Sequence, residues 1–258
     1  MGQDVRVRAN MFAQRTVKAA HEVWCLLIKH ARVVLMHRAH EKLGASRARL
    51  AEAIETSGST PLDSVTIDSE NLDQGVHYAP TPRLVLDWVH DIFTFRLDEW
   101  CFIDVGAGRG RVVLDAAQRP YAHVIGVEFA EEFCEIARRN LQALPASALK
   151  AGRVELRNVD AALLDVPQLP CIAFLFNPFG PRVLESFIAR MLQSHASVPR
   201  PIIFAYVNPI EASVFERFPE LERAHLPRPT RIKFKLLSPY GLEIYATPEA
   251  KPYLANMF

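Results

Sequence analysis

Between Trp100 and Asn208 short, mostly apolar runs alternate with stretches of helical character. The runs are Trp100 to Val105, His123 to Glu128, Arg153 to Val159, Cys171 to Asn177 and Pro201 to Asn208. A helix that Pro120 ends follows the first run. Helices over Glu131 to Leu144 and Arg182 to His195 follow the second and fourth, and a short one near Phe215 follows the fifth. Strands apolar on both faces fit a mostly parallel sheet with helices on either side, an α/β architecture of Rossmann-like type. The chain then changes character. "RIKFKLL-SPYG-LEIYAT", Arg231 to Thr247, reads as two strands about a turn with no room for a crossover helix, hence an antiparallel hairpin closing the sheet.

Upstream of this region Thr81 and Pro82 read as a helix start, the hydroxyl capping and the proline in the first helical position, with the helix running from Arg83 to Phe93. Asp68 to Pro82 reads as an irregular loop, and "ETSGSTPLDS", Glu55 to Ser64, as a linker. Residues 5–55 look helical, with Gly44 as a break. Trp24, Leu27, Ile28, Ala31, Val34 and Leu35 recur at helical spacing and form one apolar stripe. We therefore divide the chain into a basic helical segment, 1–60, and a larger α/β domain, 61–258. The whole chain of 258 residues carries a formal charge of +1, which excludes a strong general attraction to nucleic acid. The charge is uneven: residues 1–60 hold 10 Lys/Arg against 5 Asp/Glu, leaving 20 against 24 for the rest. The basic segment suits a solvated face, or a surface for an acidic protein, RNA or a lipid headgroup.

Cys25, Cys101, Cys134 and Cys171 form no CxxC pair, and read as free thiols of a reducing, cytoplasmic compartment. No signal peptide is visible. Val5 to Ala20 is basic and acid-free like a transit peptide, but poor in serine. Val23 to Met36, the most apolar stretch, is interrupted by Lys29, His30 and Arg32 and is too short to span a bilayer. His30, His37 and His40 share part of a helix face, but HxxH followed by Glu41 is not a zinc-protease order, and no metal is expected.

"FIDVGAGRGRVVLDAA", Phe102 to Ala117, carries the chemistry. A strand enters a glycine-rich bend that opens a helix, so backbone there approaches a ligand closely. A phosphate-cradling loop needs Lys and Ser/Thr after its last glycine, but Arg111 and Val112 follow Gly110. A dinucleotide fingerprint needs G-x-G-x-x-G, whereas Gly106, Gly108 and Gly110 give G-x-G-x-G. Glu128 ends the next strand, where a carboxylate can accept from both hydroxyls of a ribose. The residues point to an adenosyl ligand and leave NAD and S-adenosylmethionine both open.

"FIDVGAGRG", "VIGVEF", "NVDAA" and "FLFNPFG", in this order, resemble the core motifs of class I S-adenosylmethionine-dependent methyltransferases. The resemblance spans about Tyr78 to Thr247, and the final reversed strand matches it. It implies that Asp104 and the backbone of Gly106, Ala107, Gly108 and Gly110 hold the methionine end of S-adenosylmethionine. Glu128 takes the ribose, Phe129 packs on the adenine, Asp160 accepts from its amine, and the Ala161 amide meets the ring. A finer likeness is to the non-SET (Dot1-like) histone lysine methyltransferases, through "HYAPTPRLVLDWVHDI", "VIGVEFAEEFCEIA" and "NPFGPRVL". Ala79 and Pro80 replace the Gly-Glu that follows the tyrosine in that group, and "NPFG" is shorter than its motif.

Methyl transfer from a sulfonium is an in-line displacement that needs alignment and desolvation, not a metal. Asn177 offers a side-chain carbonyl and Pro178 a backbone carbonyl to an N–H of the acceptor. Phe179 stacks on a flat acceptor or walls off water, and Tyr78 closes over the donor or lines the acceptor channel. The expected acceptor is an amine nitrogen of a protein, lysine included, or of a small molecule. Further readings are N-methylation of a nucleic-acid base or glutamine, in the manner of the Asn-Pro-Pro-aromatic motif, a non-catalytic S-adenosylmethionine-binding module, and an NAD-dependent oxidoreductase.

Overall fold

In a computed structural model, the described residues are 80–255, 257 and 258, together with positions 24, 27, 28, 31, 34 and 35. Strands β1 (Cys101–Val105), β2 (His123–Glu128) and β5 (Ile202–Val207) are buried at every position, and β4 (Cys171–Phe176) at all but its last. Chains this apolar on both faces can only sit between two layers of helix. With β3 (Val154–Asn158), β6 (Glu222–Ala224) and β7 (Leu242–Ala246) they form one seven-stranded sheet in the order β3-β2-β1-β4-β5-β7-β6. The first five strands are parallel, and β7 runs antiparallel to both β5 and β6.

The order places the switch point between β1 and β4. From β1 the chain builds outward through β2 to β3, then returns to add β4 and β5 on the other side. Helices leaving β1 and β4 must therefore diverge, and a crevice opens at the carboxyl ends of those two strands.

Alternate residues of each strand feed two cores. On one face Phe102, Val124, Phe174, Ile203 and Ala205 pack with α1 (Arg83–His90) and α2 (Arg111–Ala117). On the other, Ile103, Val105, Ile125, Ala173 and Phe204 pack with α4 (Pro181–Ser197), through Phe187, Ile188 and Met191. Helix α3 (Glu131–Gln142) carries Glu131 and Glu132 in its first turn and Arg139 in its last, as its dipole favours.

Two expectations are corrected. Arg231 to Leu237 is not a strand. It belongs to helix α5 (Arg228–Leu237), which has a proline in its first turn and buries Thr230 and Phe234. The antiparallel partner of β7 is the three-residue β6. The C-terminal antiparallel pair exists, with a helix between its strands instead of a tight turn. At α1, Pro82 is the N-cap and no side chain caps the helix; Thr81 is buried instead. The helix also ends at His90, short of Phe93.

Cys101, Cys134 and Cys171 are buried free thiols. Trp24, Leu27, Ile28, Ala31, Val34 and Leu35 are helical and exposed. The rest of the expected basic segment, Cys25, the histidines at 30, 37 and 40, the linker and Tyr78 lie outside the described residues. No helix among the described residues is long and apolar enough to cross a membrane.

Candidate active site

The bend after β1 is built from three left-handed glycines, Gly106 (φ 80), Gly108 (φ 52) and Gly110 (φ 83), a conformation that costs a residue with a Cβ about 1–2 kcal/mol. The amides of Gly106 and Ala107 both donate to Val127 O at 2.9 Å, pinning the bend to β2. Glu128, at the end of β2, is buried, and its carboxylate faces the same bend. Gly108 N donates to Oε2 at 2.7 Å and Ala130 N to Oε1 at 2.9 Å. Asp104, one residue before the end of β1, is also buried, and its Oδ2 has no partner.

The two carboxylates raise each other's cost of ionisation. Burial, only partly offset by the three backbone amides it meets, pushes the Glu128 carboxyl up to about 7. Burial first, and then the charge of Glu128, lift Asp104 well above the usual carboxylate range. An orphaned buried oxygen beside a second acid calls for a cationic donor.

These groups line a cavity of about 170 Å³ at the switch point. One wall holds Asp104, Gly106, Ala107, Gly108, Glu128 and Phe129; the other holds Phe176, Asn177, Pro178 and Phe179 at the end of β4. The walls touch, since a Cβ on Gly106 would stand 2.7 Å from Pro178 Cβ. A smaller adjoining hollow shares Gly106, Phe129 and Phe179, and adds Val127, Val159, Asp160, Ala161 and Val183. Asp160 spends one oxygen on its own chain, Oδ1 accepting from Ala162 N at 2.9 Å.

Residues 102–195 match the family model described as a methyltransferase domain. The chain carries a methyltransferase domain. No curated protein matches the sequence. Among solved structures, an RNA methyltransferase from Salinibacter ruber in complex with S-adenosyl-L-homocysteine is 20% identical, with 66% of this chain and 92% of that one covered at a TM-score of 0.42. A ribosomal protein L11 methylase from Lactobacillus delbrueckii subsp. bulgaricus is 14% identical (65% and 77% covered, TM-score 0.42). A magnesium protoporphyrin IX methyltransferase from Synechocystis PCC 6803 with bound SAM is 18% identical (64% and 76%, TM-score 0.41).

The methyl donor of this methyltransferase is S-adenosylmethionine, and the residues present fit it. The unpaired Asp104 Oδ2 suits an ammonium. The left-handed bend leaves backbone open to close approach at Gly106. The apolar hollow between Phe129 and Phe179 suits a flat purine, with Asp160 and the Ala161 amide at its edge.

Of the residues expected from sequence, the structure gathers Asp104, Gly106, Ala107, Gly108, Glu128, Phe129, Asn177, Pro178 and Phe179 around one cavity, and Asp160 and Ala161 around the hollow beside it. Gly110 lines neither. A Cβ there would stand 2.9 Å from Ala137 Cβ, so this glycine lets α2 and α3 approach. Both Glu128 oxygens hold backbone amides, which gives the acid a second task besides the ribose.

Pro80, Thr81, Arg111, Phe133, Asn208 and Tyr240 also line the cavity and were missed. Asn208 had a signal: it ends its apolar strand as Asn177 does, and both are left-handed, at φ 52 and φ 44. Tyr240 packs edge-on against Phe176 at 4.9 Å, and only the fold brings its turn there.

Proposed function

We propose that this methyltransferase acts on nitrogen: an amine of a protein, or of a small molecule, that reaches the cavity with its lone pair available. One observation carries the reading. Asn177, Pro178 and Phe179 share a cavity with Asp104, Gly106 and Glu128, so the turn after β4 faces the place where the donor would lie.

S-adenosylmethionine supplies a methyl already activated on a sulfonium. The protein's part is then to hold and align. Asp104 and the glycine bend would grip the methionine end, Glu128 the ribose, and Phe129 the adenine. Phe176, Phe179 and Tyr240 keep the opposite wall apolar and exclude water from the line of attack. The Pro178 carbonyl and the Asn177 carboxamide are the polar groups placed to orient the acceptor.

The carboxylates lining the cavity are Asp104 and Glu128, and both belong to the donor side. An alkyl ammonium would find no separate base there, which favours a nitrogen that arrives neutral. This weighs against the finer likeness to histone lysine methyltransferases, which the comparisons do not support.

The test is incubation with methyl-labelled S-adenosylmethionine and fractionated lysate, followed by mild alkali. We expect label in protein or metabolites that survives alkali, as N-methyl groups do. Label released as methanol marks an ester, and would replace the nitrogen reading with a carboxyl acceptor.

A further inference from the structure

Tyr206 sits within β5, fully buried, at the strand beside β4. Its hydroxyl lies 3.0 Å from Asn177 Oδ1 and 3.2 Å from Glu211 N. A phenol has one hydrogen to give. The Glu211 amide can only donate, so it occupies a lone pair of the Tyr206 oxygen. The hydroxyl hydrogen then goes to Asn177, and the atom receiving it must be the carbonyl oxygen. A carboxamide turned the other way would set its NH₂ against the hydroxyl and strand the phenol hydrogen in a buried site. Burial pushes the Tyr206 phenol up to about 12, so it remains a donor through the physiological range.

The backbone works with this bond. Asn177 is left-handed, at φ 44, one residue past the end of β4, where asparagine is among the few side chains tolerated. Position and amide orientation are thus fixed separately, one by the chain and one by Tyr206.

We propose that Tyr206 is the positioning residue of this site, holding the Asn177 carboxamide so that its Nδ2 is the end left for the acceptor. This rests on the nitrogen-transfer reading above, and changes one expectation from sequence. Asn177 meets the acceptor chiefly as an N–H donor, its carbonyl oxygen being already engaged. The group beside the methylated nitrogen then carries a lone pair of its own, such as a carbonyl or ring nitrogen.

Two measurements on the full chain test this. The first needs no acceptor. By ¹⁵N relaxation, the Asn177 side-chain amide, assigned by its loss in Asn177→Ala, should be as rigid as backbone, with an order parameter of about 0.85, and fall below about 0.6 in Tyr206→Phe. An unchanged value in a folded Tyr206→Phe overturns the proposal. Should that variant fail to fold, Asn177→Asp decides, since it keeps an acceptor for Tyr206 and removes Nδ2. Its transfer to the acceptor fraction labelled by the wild type should be as slow as that of Asn177→Ala; wild-type transfer overturns the proposal.

The second measurement separates this proposal from the one it rests on. Tyr206→Phe should slow transfer about 10- to 100-fold with S-adenosylmethionine affinity unchanged, and should add nothing in the Asn177→Ala background. Additive losses sink the positioning role. Absence of transfer by the wild type sinks the nitrogen-transfer reading and leaves the relaxation result to judge Tyr206.

Discussion

Gly106 and Pro178 meet with no room between them: a Cβ on the glycine would stand 2.7 Å from the proline Cβ. The donor-side bend and the turn after β4 are thus two faces of one contact. Gly106→Ala adds left-handed strain of about 1–2 kcal/mol and drives the walls apart. We expect S-adenosylmethionine binding to fall below detection by calorimetry while the protein still folds. Near-normal affinity would mean the two walls adjust independently.

Gly110→Ala should behave differently. Its Cβ would meet Ala137, away from the cavity, so the loss falls on the packing of α2 against α3. A stability decrease of about 1–3 kcal/mol in denaturant titration is expected. Affinity of the folded protein for S-adenosylmethionine should drop less than in Gly106→Ala. The reverse ranking would place Gly110 at the ligand.

Glu128 sets a pH dependence with a definite sign. Its carboxyl sits near 7 in the folded chain, against an ordinary value of 4.5. A group raised on folding stabilises fully below its unfolded value and loses that contribution as pH climbs through the folded one. The ligand-free protein should therefore lose stability between about pH 4.5 and 7, by at most on the order of 3 kcal/mol from this group. Asp104, raised in the same direction, adds to the loss. A cationic ligand favours both ionised acids, so affinity for S-adenosylmethionine should rise over the same window. Melting curves and calorimetry at pH 5.5 and 8 check both slopes. Glu128→Gln should flatten each; slopes as steep as in the wild type would assign them elsewhere.

Asn177→Ala should leave S-adenosylmethionine affinity within twofold and slow methyl transfer at least about 100-fold. Loss of cofactor binding together with activity would place Asn177 on the donor side.

The parallel sheet was readable because its strands are buried on both faces. Cys101–Val105 and Ile202–Val207 leave no polar position to blur the pattern. The misread α5 shows the opposite case. Ile232, Phe234 and Leu236 alternate with Arg231, Lys233 and Lys235, a strand-like rhythm, yet Ile232, Leu236 and Leu237 are exposed and Phe234 is buried. β6, three residues of ordinary composition, has no pattern to read. At the site, Asp104 to Glu128 was legible because a contiguous bend and the next strand end carry it. Thr81, Asn208 and Tyr240 come from separated loops, and Tyr206 acts through a hydrogen bond that only adjacency of β4 and β5 creates.

Asn177 and Asn208 are left-handed residues that terminate neighbouring strands. The rim of the acceptor side is thereby rooted in the sheet, while selectivity can be rewritten in the segments that follow each asparagine. Exchange of those segments would retarget the enzyme with its donor grip intact, making the molecule a natural chassis for altered substrate range.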